Sequence, residues 1–366
     1  MKKTSLWLVF LLAGILFSCS SDNDGFPGEE AEEVSPVVLD LGAIPYPKLS
    51  DYQLFKSPLS ELNPVFGVIP YEPISSLFTD YASKKRFIWM PKGSSATFQG
   101  DGKTLEFPVG TILVKNFYYE NVLPNLNKRI LETRLMIRTQ NEWKFLNYVW
   151  NEEQTEAYYD MEGRFVPITW MQNGVQKEVN YRIPNGAECL SCHNSAEIPL
   201  PIGTKPQSLN KNFAYAEGVK NQLQKLKEFG YLNDYPNQIQ TVVNYSDQSQ
   251  PLELRVRSYF DINCAHCHSE QGFCNYRAPR FAFNMTDYQP NLGICVPPDE
   301  DISPWTNGGN PTHIIKPGHP ENSAVYYRLN TTLENIRMPL RGRTLIHEEA
   351  VAMVEQWISS LNGNCE

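Results

Sequence analysis

The sequence predicts an α+β protein, with a β-rich N-terminal block followed by an all-α C-terminal block. Three observations carry that expectation. Between residues 84 and 183, β-branched and aromatic residues gather in short runs separated by turn signals. After residue 251 the apolar residues fall at helical spacing instead. The chain of 366 residues is also long enough to bury two hydrophobic cores.

The first stretch reads as an export signal. Lys2 and Lys3 precede an apolar run from Leu6 to Phe17, which is too short to span a bilayer as a stable helix. It ends Leu16-Phe17-Ser18-Cys19, which resembles a bacterial lipobox with Cys19 as the lipidated residue after removal of 1–18. An ordinary cleaved leader is the competing reading. Residues 19–44 begin polar, acidic and rich in Gly and Pro, and are expected to form a disordered acidic tether. Lipid anchoring to the outer membrane is the expectation, with the periplasmic and cell-surface faces both open. The formal net charge of −9 argues against nucleic acid as a partner.

Residues 45–205 form the β-rich block. Strands are expected at 84–91, 105–119, 130–138, 143–150, 164–171 and 175–183, with turns at Gln99-Gly-Asp-Gly102 and Thr139-Gln-Asn141. Residues 206–250 read as a helical connector. Val219, Leu223 and Leu226 fall on one face, and Gly230 suits a C-terminal cap. The second block, 251–366, opens with a helix from Leu254 to Asn263, in which Tyr259 and Phe260 are available for packing. It closes with one from Ile346 to Leu361, where Glu348 and Glu349 complement the helix dipole.

Each block carries one short motif: Cys189-Leu-Ser-Cys192-His193 and Cys264-Ala-His-Cys267-His268. Both read CxxCH, the attachment signature of a c-type haem. Two thiols about one helical turn apart reach the two vinyl groups of one porphyrin, and the next histidine supplies the proximal nitrogen. Half of a zinc site and a redox CxxC compete for a single copy. Two copies in an exported chain favour two covalently bound haems. The fold class thus becomes a β-rich haem domain followed by an all-α, class I-like cytochrome c domain.

Between the two C-terminal helices lies Arg337-Met338-Pro339-Leu-Arg-Gly342. A thioether on a loop well downstream of the CxxCH is how cytochrome c domains present a distal ligand, so Met338 is the expected partner of His268. A buried core methionine is the alternative. For the first haem the distal candidates are Met136, Met161, Met171, a histidine from the second block, or no ligand. Met136 lies in a strand and reads as core. His266 is expected in solvent, His313 and His319 in structural hydrogen bonds, and His347 at the surface. Of the cysteines left over, Cys274, Cys295 and Cys365, the favoured disulfide pairs Cys274 with Cys295 across one loop.

The chain also resembles a family of dihaem c-type cytochromes of bacterial envelopes, largely uncharacterised in function. The resemblance rests on LFTDYASKKRFIWMP (77–91), FPVGTILVK (107–115), ETRLMIR (132–138), YVWNEEQTEA (148–157), IPNGAECLSCH (183–193) and PIGTKPQSLN (201–210). It continues through YFDINCAHCH (259–268), IIKPGHPENSAVYYR (314–328), MPLRGR (338–343) and HEEAVAMVEQWISSL (347–361). It implies electron transfer with redox partner proteins of the cell envelope, without naming them. The sheet-plus-CxxCH layout of the first block is also similar to the cytochrome c′-beta group.

Electron transfer is therefore favoured over catalysis. The alternative is a dihaem enzyme, acting on peroxide or small nitrogen oxides at an open first haem. A substrate-binding lipoprotein with haem as a structural staple is the third reading. Replacing Cys19 by Ala is expected to release the chain from membranes with its visible spectrum unchanged, because the tether precedes both blocks. Fractionation after a salt wash checks this. A substituted chain that stays in the membrane pellet rules out lipid as the anchor.

Overall fold

The computed structural model describes residues 33–196 and 198–365. The leader, Cys19 and the first part of the expected tether lie outside the described residues. Packing begins earlier than the sequence suggests. Ser35 already accepts a hydrogen bond from the Trp89 indole at 2.9 Å, and Val37, Leu39 and Leu41 pack against the core. Alternate apolar residues at 37–41 have a buried sheet face to cover, so the stretch cannot stay a free tether to residue 44.

One antiparallel sheet dominates the fold. Its strands are β1 (Ile69–Tyr71), β2 (Ser83–Trp89), β3 (Ile112–Val122), β4 (Asn127–Arg138), β5 (Trp143–Trp150), β6 (Ala157–Tyr159), β7 (Arg164–Gln172) and β8 (Val175–Ile183). The first six lie in chain order, and the β7–β8 hairpin joins through the end of β3, where Val122 pairs with Trp170. Side chains alternate across it. Trp89, Ile112, Val114, Leu135, Ile137 and Tyr148 face one core, which Leu49, Tyr52, Leu54 and Leu62 close from below. Ile88, Leu113 and Trp143 face the opposite side.

The chain beyond β8 covers that opposite side. α1 (Gly186–Cys192) leads into a short hairpin of β9 (Asn194–Ser195) and β10 (Ile198–Pro199). Next come α2 (Pro206–Leu209), a second hairpin of β11 (Asn212–Tyr215) and β12 (Gly218–Asn221), and α3 (Gln222–Glu228). The expected helical connector is thus largely not helical. Val219 lies in the hairpin at 71 % exposure, whereas Leu223 and Leu226 are buried. The Asn221 side chain accepts from the backbone N–H groups of Leu223 and Gln224, which starts α3 three residues after Gly218 has closed the hairpin. Gly230, at φ +83°, follows α3 as its cap position requires. Leu209, Tyr215, Leu223, Leu226 and Leu232 share a core with Ile69, Ile88 and Leu113, so this stretch is part of the sheet's cover.

The C-terminal segment corrects the expected fold class. It contains α4 (Leu252–Asn263), α5 (Ala324–Leu329) and α6 (Glu348–Ser360), and no all-α cytochrome c domain stands among the described residues. Between α4 and α5 the chain runs through turns and single 3-10 turns, because prolines at 279, 290, 297, 298, 304, 311, 317 and 320 interrupt any longer helix. Residues 35–366 cluster as one compact unit, in which α4 and α5 pack on α6 around a core of their own. The disulfide differs as well. Cys295 pairs with Cys365, Cα atoms 5.2 Å apart, and Cys274 is a buried free thiol. The loop brings Cys295 beside the residues that come after α6, a meeting that sequence proximity does not reveal.

A seam holds this segment to the sheet. Asp80, 2 % exposed, accepts hydrogen bonds from the Thr344 N–H (2.7 Å), the Thr344 hydroxyl (2.9 Å) and the Leu345 N–H (2.8 Å). Beside it, His347 is buried rather than at the surface, its ring stacked on Phe78 at 4.1 Å and flanked by Tyr81, Tyr245 and Tyr259. Burial pushes its imidazole down from 6.5 to about 4. Between these values the unfolded chain binds a proton that the folded chain refuses, so stability is lost as pH falls from about 6.5 to about 4. A shift of that size corresponds to about 3 kcal/mol at most. Denaturant unfolding at several pH values should show this loss in the parent chain and a flatter profile in His347→Phe. Equal slopes in the two proteins would show that His347 does not titrate across the transition.

Candidate functional site

The first motif is delivered by a capping box. Asn185 accepts from the Glu188 N–H at 2.9 Å while Glu188 accepts from the Asn185 N–H at 2.9 Å, and Arg182 anchors Glu188 at 2.9 Å. The sequence Asn185-Gly-Ala-Glu188 announces this start. Gly163, at φ +74°, passes beneath it, and a Cβ there would lie 2.7 Å from the Asn185 nitrogen. α1 then carries Cys189 and Cys192 and ends at His193.

The second motif comes directly after α4. Asp261 accepts from Lys205 at 2.7 Å and from the Phe283 N–H at 3.0 Å, and Arg257 pairs with Asp287 at 2.7 Å. Behind the motif, the Cys274 N–H donates to the Cys267 carbonyl at 3.0 Å. A Cβ at Gly272 would collide with that same carbonyl, so the return loop needs glycine there.

The fold brings the two motifs into contact. The sulfur of Cys267 lies 3.9 Å from the Ser191 carbonyl, and the Ala196 N–H donates to the Gln271 carbonyl at 2.7 Å. Donor atoms of Cys192, His266 and Cys267 all lie within 4.8 Å of one another. His266 is therefore turned into the junction and not into solvent. It lines both neighbouring cavities, because the second thiol of each motif and His266 share the seam where α1 meets the end of α4. The nearby Cys267 thiol, and after it His266, hold the Cys192 thiol well below its ordinary value, while the same thiol proximity pushes Cys267 up.

The two histidines that end the motifs differ in their support. His193 Nδ1 meets the Leu200 carbonyl at 2.9 Å, which leaves Nε2 as the free donor. Its ring rests against Phe145 at 4.9 Å. His268 Nδ1 is buried without a hydrogen-bond partner, and its ring stands edge-on to Phe281 at 5.3 Å. Burial pushes both imidazoles down to about 4, so both are neutral and able to ligate a metal.

Two cavities flank the junction. The first lies between the sheet and residues 201–204 and 339–342, and is lined by Cys189, Cys192 and His193. Met136 and Met161 also line it and Met171 does not, which narrows the methionine candidates to two. The second is lined by His268, His266 and Cys192. Among the described residues Met338 lines neither cavity, although its neighbours Pro339, Arg341 and Gly342 border the first. Met338 is half-buried, its N–H donating to the Arg328 carbonyl at 2.7 Å. His313 and His319 make side-chain contacts at 3.0 and 2.9 Å to Thr312 and Glu321, away from both cavities.

The chain matches no protein-family model, no curated protein and no solved structure. Among the described residues, no helix is long and apolar enough to cross a membrane.

The meeting of the motifs has a direct consequence for haem-free protein. With Cys189 and Cys264 replaced by Ser, mild oxidation should join Cys192 to Cys267 within one chain. Peptide mapping reads the cross-link. Cys192 and Cys267 both still free after oxidation, or joined only between chains, would contradict the juxtaposition.

Proposed function

We propose that this chain is a dihaem c-type cytochrome that transfers electrons in the bacterial cell envelope. The observation carrying this reading is the convergence of two CxxCH motifs on one junction, each with a neutral histidine at an adjoining cavity. Cys189 and Cys192 would hold one haem, with His193 as its proximal ligand. Cys264 and Cys267 would hold the other, with His268. Bound haem supplies one-electron redox chemistry.

The donor set fits such groups. The Leu200 carbonyl fixes the His193 tautomer and aims its free nitrogen, as an axial ligand needs. Phe145 and Phe281 restrain the two rings. Because the Cys192 and Cys267 sulfurs lie within 4.8 Å, two haems held by these motifs would sit side by side, which favours passage of an electron between them. Met338 remains the proposed distal ligand of the second site, on the strength of the sequence. Cys19 supplies the proposed lipid anchor to the outer membrane, with redox proteins of the envelope as partners. A dihaem enzyme remains the alternative, in which the first cavity admits a small oxidant to an open iron.

A second reading rests on a different observation. Two thiols and an imidazole within 4.8 Å form three quarters of a tetrahedral zinc site. Metal analysis separates the two: iron in haem on one side, zinc released by chelator on the other.

Protein matured with a cytochrome c assembly system should carry two covalent haems by intact mass and pyridine haemochrome. Replacing both Cys264 and Cys267 by Ser should leave one. A chain with no covalent haem overturns the reading, and so does a double variant that keeps both.

A further inference from the structure

The side of the sheet that faces the first cavity carries a row of charge where an apolar row would be expected. Cross-strand register places Arg86 opposite Lys115, Lys115 opposite Arg134, and Arg134 opposite Asn147. Directly opposed residues on one face sit about 5 Å apart. All four line the cavity that also holds His193.

Their compensation is incomplete. Glu132, fully buried, binds Arg134 through both carboxylate oxygens and takes the Tyr181 hydroxyl at 2.8 Å. Among the described residues Arg86 has only a 3.4 Å contact to the Ser76 hydroxyl. The Lys115 ammonium has no carboxylate within salt-bridge reach among the described residues and lies 4.8 Å from the Phe117 ring centre. Asn147, 1 % exposed, has neither its amide N–H2 nor its carbonyl oxygen hydrogen-bonded. A buried guanidinium and a half-buried ammonium without anions, beside a buried amide without partners, are costly, which calls for a group that answers them.

We propose that Arg86, Lys115, Arg134 and Asn147 form an anion-binding floor that seats carboxylate or oxyanion groups on the sheet side of the first cavity. Two positive side chains with spare charge and an amide donor suit a group with two or more acceptor oxygens. Burial, followed by the repulsion of Arg86 and Arg134, holds the Lys115 ammonium well below its ordinary value, and an anion at the floor would relieve both. Two sources share this chemistry. One is the pair of propionates on a haem attached at Cys189 and Cys192, which rests on the dihaem reading. The other is a small diffusible oxyanion.

The experiment compares the matured protein with Lys115→Met and with Lys115→Arg, which keeps the charge. If propionates occupy the floor, nitrite leaves the parent spectrum unchanged. The propionate bending modes in resonance Raman then shift in Lys115→Met and return in Lys115→Arg. If a free oxyanion occupies it, nitrite binds the parent saturably. Its Kd then rises about tenfold or more in Lys115→Met, the loss expected for one charge-assisted hydrogen bond, and recovers in Lys115→Arg. Neither response in protein with two covalent haems overturns the floor. Should the parent carry no covalent haem, the dihaem reading fails by itself. Nitrite calorimetry on that same protein then decides the floor, with binding supporting it and no binding overturning it.

Discussion

A single buried carboxylate holds the two halves of the site together. Asp80 sits where the chain enters β2, in left-handed backbone at φ 48°, and the next residue, Tyr81, is left-handed as well at φ 62°. Such conformations cost roughly 1–3 kcal/mol each for residues with side chains and persist only where their surroundings enforce them. Here the surroundings come from far along the chain. Thr344 and Leu345 donate to the Asp80 carboxylate, and the Tyr119 hydroxyl donates to its carbonyl. Tyr81 in turn donates to Glu349 at the start of α6. Burial pushes the Asp80 carboxyl above the usual carboxylate range, opposed by these hydrogen bonds. With α6 fixed, α4 packs under it, and the motif at the end of α4 arrives against α1.

That dependence explains what the sequence disclosed and what it withheld. The strands were legible because β-branched and aromatic residues cluster between turn residues. Both CxxCH motifs are local, so their chemistry can be read residue by residue. Long-range meetings leave no such mark. His347 opens a helix and reads as surface, yet Phe78 covers it. His266 reads as solvent-facing within its own motif, yet the other motif turns it inward. Cys295 finds Cys365 across folded structure, not its neighbour Cys274. Val219, Leu223 and Leu226 fit a helical stripe, but Gly218 and Asn221 spend the first part of that stretch on a hairpin. The all-α second block failed for a similar reason. Its end helices are present, but the proline-rich stretch between them is loop, and the segment is tied to the sheet by the hydrogen bonds of the Asp80 seam.

The electrostatics of the sheet depend on register in the same way. Each of β2, β3 and β4 carries basic residues that look like ordinary exposed strand positions. Antiparallel pairing aligns Arg86, Lys115 and Arg134 into one row that lines the same cavity as His193. A sheet with one apolar face would not need that row. No such aligned row stands among the residues lining the second cavity, so the two sites are unlike in charge. Positive charge close to an iron centre favours its reduced state, so a haem at the first site would be shifted upward relative to what its ligands alone would set.

Two haems attached at these motifs would have their irons side by side, because the motifs meet at Cys192, His266 and Cys267. Electron paramagnetic resonance of the matured protein tests this most directly, comparing the fully oxidised form with samples in which only one haem is reduced. Adjacent ferric irons should broaden each other's signals when both are oxidised, with the remaining signal sharpening after one-electron reduction. Two spectra that add independently at every stage of reduction would contradict it.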